Sequence, residues 1–395
     1  MNSTSLPALI LIAVAVVLPA RRADADADVY LTGVPDYDWQ YGCFGTASGI
    51  LMGYWDRHGF PDFYTGPTAG GIAPLNNYSG NAGIRSMWAS QAGFDGRPAG
   101  VHGHANDYYL TYANTGTDPC ITAARTEHAA DCIGDFIGLN QKRWTNMNNE
   151  CDGNIDGYAF VFWDTNGTQR VNYVPPLQGT NPVKDVPSGL RAWTRYRGYD
   201  ADAFSQLTAF NPKCPLGQGF TFAQLKAEID AGYPVLAFLQ SYNANSRSLS
   251  GMPKANPLIH GMLIFGYQWY EGYGTNVYVR DGWGGGFQTR NWSSISWVGG
   301  STLPVRGIIG YRPKPRIRSI TLSSTNVVVS WDGPSSQLYD DLMGTATPTH
   351  YYQLEKSSTL SPPDFQPVGD VTNGRTLSIL DCCNTTAYYR VQLLQ

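Results

Sequence analysis

Cys43, His260 and Asp281 are the residues of this 395-residue chain whose types could combine into nucleophilic chemistry. A thiolate attacks carbonyl carbon, but it needs a base to take and return the proton and a third group to orient that base. Gly42 precedes Cys43, which opens a run to Asp56 (CFGTASGILMGYWD) with Ala47, Ile50, Leu51 and Tyr54 at helical spacing. A cysteine at a helix start faces backbone N–H groups and the positive end of the helix dipole, and both lower a thiol pKa. His260 opens the strand-like run HGMLIFGY, and Asp281 ends VYVRD just before Gly282-Trp283-Gly284-Gly285. Two adjacent strands with a hairpin-like connection would set an imidazole beside a carboxylate. On spacing alone this is weak: six histidines and 31 acids supply many such orderings, and a lone cysteine is usually a small buried hydrophobe.

The elements that must hold these residues are partly readable. Gly59 and Pro61 stop the cysteine helix. Phe222 to Asp230 reads as a second helix, ended by Gly232 and Pro234 and followed by the apolar strand Val235–Leu239. Leu258 to Tyr267 and Asn276 to Asp281 read as two further strands. Between Gly66 and Phe220 the text is aromatic, rich in Gly and Asn, and carries no clear assignment. Pro313-Lys314-Pro315-Arg316 marks a boundary. Beyond it Ile317–Leu322, Asn326–Trp331, Tyr351–Lys356, Thr376–Leu380 and Tyr388–Leu393 are short alternating runs separated by Gly, Pro, Ser and Asn, as in a small all-β sandwich.

The text VPDYDWQYGCFGTASGILMGYWDRHG resembles the nucleophile helix of the bacteriocin-processing (double-glycine) cysteine peptidase-like family, within the papain-like superfamily. KAEIDAGYPVLAFL, HGMLIFGYQW and VRDGWGGGF resemble its later segments, with Asp281 where papain-type enzymes carry Asn. The resemblance covers roughly residues 33–57 and 221–287. It implies an α+β, papain-like cysteine peptidase fold with long insertions. Cys43 would be the nucleophile, His260 the general base and acid, and Asp281 the orienter, acting through a thioester acyl-enzyme. Two positions depart from the family pattern. Phe44-Gly45 follows the cysteine where Gly-Pro or similar is usual, and the position six residues upstream, commonly an oxyanion-stabilising Gln, is Tyr37. Gln40 is the nearest amide and the candidate oxyanion donor, with the Cys43 N–H, Asp38 or Tyr37 as other candidates. Trp283 is a candidate substrate-groove residue, although core packing accounts for it equally. The text after Pro313 resembles fibronectin type III-like modules, which carry no activity by fold alone. Two other functions stay open: a peptidase-like surface or binding protein without turnover, and a cell-wall amidase using the same triad.

Composition narrows the partners. Lys and Arg total 27 against 31 Asp and Glu, so no basic excess exists to neutralise nucleic acid or an anionic membrane surface. A peptide or protein substrate is expected, with no cofactor. Leu6 to Ala20 is an apolar run too short to span a bilayer comfortably, and small-x-small sites follow in Ala23-Asp24-Ala25-Asp26-Ala27. Residues 1–27 therefore read as a signal peptide, 28–312 as the peptidase-like domain and 313–395 as the β module, secreted or held at the cell surface. Seven cysteines fit an oxidising compartment: Cys120, Cys132, Cys151 and Cys214 could form two bridges, Cys382-Cys383 are adjacent, and Cys43 is left over. His102 and His104 with Asp107, and His128 with Asp131 and Cys132, lack a convincing further zinc ligand, so no metal is expected there. Asp152 to Asp156 matches half a calcium loop, with Trp163 at the twelfth position, and reads better as a turn.

Overall fold

The computed structural model describes residues 26–40, 42–63, 72–88, 132–137, 167–174, 177–178, 181–182, 185–240, 259–272, 274–296, 302–323, 325–380 and 386–394. Residues 1–25, the histidine cluster 102–107 with His128 and Asp131, the acidic turn 152–156, and Cys120, Cys151, Cys382 and Cys383 lie outside them. The fold is α+β and strand-dominated. The described cysteines are Cys43, Cys132 and Cys214, and no disulfide joins any two of them.

The central sheet forms around one long strand. Strand β1 is Ala27–Leu31, and helix α1 is Cys43–Arg57. Next come β2 (Arg170–Val171), α2 (Val186–Tyr196), β3 (Ala201–Leu207), α3 (Phe222–Asp230) and β4 (Val235–Gln240). Then follow β5 (Ile259–Tyr270), β6 (Gly274–Arg280), β7 (Gln288–Asn291) and β8 (Val305–Pro313). The consecutive apolar residues Met262 to Phe265 are buried, as expected of a strand covered on both faces. The first half of β5 pairs with β4, its last residues pair with β1, and β6 pairs along residues 263–270, all antiparallel. Beyond β4 the sheet continues through β8 and β3 to β2. The four elements expected in 222–281 thus exist as expected, whereas α2, β3 and β8 had no clear sequence signal.

Helix α1 is not the one-sided helix its spacing implies. Every residue from Cys43 to Asp56 is buried, as in a helix enclosed on all sides. Its glycines make this possible. A Cβ at Gly49 would lie 2.2 Å from the Trp88 indole, and one at Gly53 would lie 2.5 Å from the Tyr37 hydroxyl. The two aromatic rings meet edge to face at 5.2 Å. Helix α3 starts with a reciprocal capping box between Thr221 and Gln224, a feature of roughly 1 kcal/mol.

The C-terminal part contains β9 (Arg316–Ser323), β10 (Asn326–Asp332), β11 (Gln337–Asp340), β12 (Thr345–Pro348), β13 (Tyr351–Ser357), β14 (Gln366–Thr372), β15 (Thr376–Leu380) and β16 (Tyr388–Leu394). All five expected runs are strands. They form two three-stranded sheets, β9-β10-β15 and β14-β13-β16. Val327, Val329, Trp331, Tyr352, Leu354 and Ile379 make a core of their own. The β11–β12 hairpin instead leaves these sheets. It pairs with the free edge of β1, Val29 opposite Asp340 and Leu31 opposite Leu338, and Leu338 joins the large core. The segment after Pro313 is therefore woven into the large sheet as well as forming a sandwich.

Strand β1 begins at Ala27, the last residue of the expected leader. Ala27 is buried and pairs with Trp269, and the Asp26 carboxylate accepts the Glu271 N–H at 3.1 Å. A cut after residue 27 would remove the first rung of the sheet.

Candidate active site

Cys43 is the first residue of α1. Gly42 before it has φ 128°, a conformation that favours glycine, and no side chain caps this helix end. Without an acidic residue in the first turn, the positive end of the dipole acts on the thiol alone. His260 is the second residue of β5 and is 1% exposed. Asp281 follows the last residue of β6, so strand pairing carries imidazole and acid to the same end of the sheet.

Two contacts bring the helix start to that end. A Cβ at Gly261 would lie 2.7 Å from the Phe44 ring, and a Cβ at Gly282 would lie 3.3 Å from the Thr46 methyl. The residue after the cysteine thus packs beside the histidine, and the residue three after it packs beside the acid. Phe44, the departure from the family pattern, fills the space Gly261 leaves and meets Phe238 at 5.6 Å.

The imidazole is held by a backbone atom. His260 Nε2 lies 2.8 Å from the Asp281 carbonyl oxygen. A carbonyl only accepts, so Nε2 carries the proton and a neutral ring offers its lone pair at Nδ1. Burial pushes the His260 pKa down to about 3, and the Asp281 carbonyl opposes that shift without reversing it. The ring is therefore neutral near pH 7. The Asp281 carboxylate does a different job: its Oδ1 accepts the Trp283 N–H at 3.0 Å and closes the glycine turn. Burial raises the Asp281 pKa, while the Trp283 N–H and Arg290 pull it back.

The strand end is tied to the segment that enters α1. Asp38 and Trp283 form an antiparallel bridge. Asp36 accepts the Gly286 N–H at 2.7 Å and pairs with Arg280 at 3.4 Å, and Arg280 donates to the Val34 carbonyl at 3.1 Å. Asn77 grips the Asp38 residue at both backbone groups, accepting its N–H at 2.9 Å and donating to its carbonyl at 2.8 Å.

The candidate oxyanion donors separate clearly. Tyr37 is fully buried and donates to the Pro74 carbonyl at 2.7 Å, which removes it as a donor. The Asp38 side chain accepts the Trp39 N–H at 2.9 Å. Gln40 spends one amide hydrogen on the Trp39 carbonyl at 2.6 Å and gives its backbone N–H to the Thr46 hydroxyl at 2.8 Å. Gln40 has a second amide hydrogen, and the other member of the expected set, the Cys43 N–H, lies at the first position of α1. Trp283 is partly exposed at the rim of this turn.

Sequence reasoning missed Thr46, Asn77, Asp36 and Arg280. Thr46 had a usable signal, because a threonine four residues after the residue preceding a helix can return its hydroxyl to that carbonyl. Asn77 had none, since its partner lies 39 residues away. No protein-family model, no curated protein and no solved structure matches the chain.

Proposed function

We propose that the chain is an exported, papain-like cysteine peptidase. The carrying observation is the double contact of the first turn of α1, Phe44 with Gly261 and Thr46 with Gly282, which gathers thiol, imidazole and acid turn at one end of the sheet. A nucleophile helix packed on an antiparallel sheet whose neighbouring strands carry base and acid supports the papain-like reading. Cys43 Sγ attacks the substrate carbonyl and its proton passes to Nδ1 of His260. The negative charge on the carbonyl oxygen is met by the Cys43 N–H and the remaining Gln40 amide hydrogen. Collapse of the tetrahedral species breaks the C–N bond, the imidazolium protonates the leaving amine, and water then hydrolyses the thioester with His260 as base. Asp281 orients the ring through its main-chain carbonyl.

Because the resting ring is neutral, the thiol is activated by proton transfer during attack and not by a standing ion pair. Iodoacetamide at pH 6, with the modified peptide quantified by mass spectrometry, tests this. Cys43 is expected to react at least about 10-fold faster in the wild type than in His260→Ala, within the usual range for a positioned base. Equal rates would sink the thiol–imidazole pair.

A second reading has its own observation. Gln40 is already turned onto Trp39 O and Tyr37 is locked in the core, so a binding protein that keeps a reactive thiol without turnover is the alternative. It differs in giving alkylation without thioester hydrolysis.

Export carries a separate expectation. The two small-x-small sites end at Ala25 and Ala27. Since Ala27 pairs in the sheet and the Asp26 side chain accepts the Glu271 N–H, intact-mass measurement of the exported chain should find Asp26 as its first residue. A chain starting at Asp28 would contradict the role given to β1.

A further inference from the structure

The Thr46 hydroxyl makes three contacts that no helix propensity requires, the longest of them at 3.3 Å to the Gln40 carbonyl. It accepts the Gln40 N–H at 2.8 Å and donates to the Gly42 carbonyl at 2.8 Å. The Gly42 carbonyl also receives the Thr46 backbone N–H at 2.8 Å, so one residue holds this oxygen twice. The peptide between Gly42 and Cys43 is planar and trans, which makes its C=O and N–H antiparallel. Fixing the Gly42 oxygen toward Thr46 therefore fixes the Cys43 N–H in the opposite direction, away from the helix. Gly42 needs such a restraint, because at φ 128° it has the broad freedom of glycine. The methyl group of the same side chain packs under Gly282, beside the acid turn.

We propose that Thr46 is a positioning residue that aims the Cys43 backbone N–H at the oxyanion formed during acyl transfer. The inference rests on the peptidase reading above. It separates two reactions of one thiol. Attack on an ester builds negative charge on oxygen and needs the aimed N–H. Alkylation displaces iodide at a saturated carbon and builds no oxyanion.

The test compares the full mature chain with Thr46→Val, which keeps the methyl and replaces the hydroxyl by a second methyl, and with Thr46→Ser, which keeps the hydroxyl. Acylation of Cys43 is followed by nitrophenolate release from p-nitrophenyl acetate, and alkylation by iodoacetamide at the same pH. Thr46→Val should slow acylation about 10- to 100-fold, the scale on which a misplaced catalytic group costs rate. Its alkylation should stay within about 2-fold, and Thr46→Ser should restore acylation to within about 3-fold of wild type. A parallel fall of both reactions in Thr46→Val, as a general loosening of α1 would give, overturns the proposal, and so does unchanged acylation. If wild-type Cys43 reacts with neither reagent faster than the urea-unfolded chain, the peptidase reading fails first and takes this inference with it.

Discussion

A chain ending at Pro313 is expected not to fold. The segment beyond that point supplies β11, the only partner of β1 on the side away from β5 among the described strands. It also supplies the backbone bonds Gly333 N–H to Gly59 O, Ser335 N–H to His58 O and Thr32 N–H to Gln337 O. Tyr54, in the last turn of α1, is fully buried with its hydroxyl on Ser336 Oγ at 2.6 Å, and Ser336 donates onward to the Gly232 carbonyl at 2.9 Å. Tyr199 lies 3.3 Å from the buried Asp332 carboxylate, under the Arg316 guanidinium. Each lost hydrogen bond costs about 0.5–1.5 kcal/mol, more where a buried partner is orphaned, and Leu338 adds its burial. The total is comparable with the 5–15 kcal/mol that holds a whole domain together. Removal also bares β1 as an edge strand prone to association. The check is the solubility and urea-unfolding cooperativity of residues 26–313 against 26–395. A soluble truncated chain with one cooperative transition and undiminished Cys43 alkylation would contradict this account.

Acid should unfold the protein well above the range where carboxylates alone would do so. Burial pushes His260 and His350 down to about 3 and His58 down to about 4. Their unfolded value is about 6.5. All three are therefore lowered bases: above pH 6.5 they cost nothing, and below it the unfolded chain binds protons that the native chain refuses. Stability falls from pH 6.5 toward the native values, by about 1.4 kcal/mol per unit for each ring. Asp185, raised by burial to about 7, works in the opposite sense over much of the same window. The net loss is roughly 1–3 kcal/mol per unit, so about 2–6 kcal/mol between pH 6 and 4, a large part of an ordinary domain's stability. Urea midpoints measured across that range should slope steeply, and less so in His350→Gln. A flat profile would mean that these rings are not buried neutral.

His350 shows why the slope reports on architecture. Its ring packs against Tyr233 at 5.2 Å and Trp55 at 6.4 Å, with Nδ1 at 2.8 Å from Thr349 Oγ1. His58, whose charge would disfavour its protonation, stacks on Tyr54 at 4.3 Å. Protonation there strikes the seam between α1 and the C-terminal strands, whereas protonation of His260 strikes the end of the sheet where β5 meets the Asp281 turn.

Local text was enough for some of this and not for the rest. The cysteine helix, α3 with its capping residues, the strands bearing His260 and Asp281, and five sandwich strands all carry periodicity or punctuation within their own few residues. The β11–β12 hairpin does not. QLYD and TATP have little alternation, and what makes them strands is an edge offered by residues 29–31. Likewise the acid was legible but its division of labour was not, because nothing in VRDGWG says that the main-chain oxygen faces the imidazole while the carboxylate holds the turn. The segment before Cys43 was unreadable for a similar reason: Tyr37 and Gln40 look alike as donors in sequence, and their partners Pro74 and Trp39 are visible only in the fold.

The position of β1 also sets the order in which the chain can become itself. Its inner neighbour, β5, and its outer neighbour, β11, are both made long after it. A ribosome delivers β1 early, yet neither of its edges has a partner until most of the polypeptide has followed. Loop closure over such separations is slow, and slowest for sheet pairings of this kind. The first turn of α1 and the strand that carries His260 therefore come together in the completed sheet only late in synthesis.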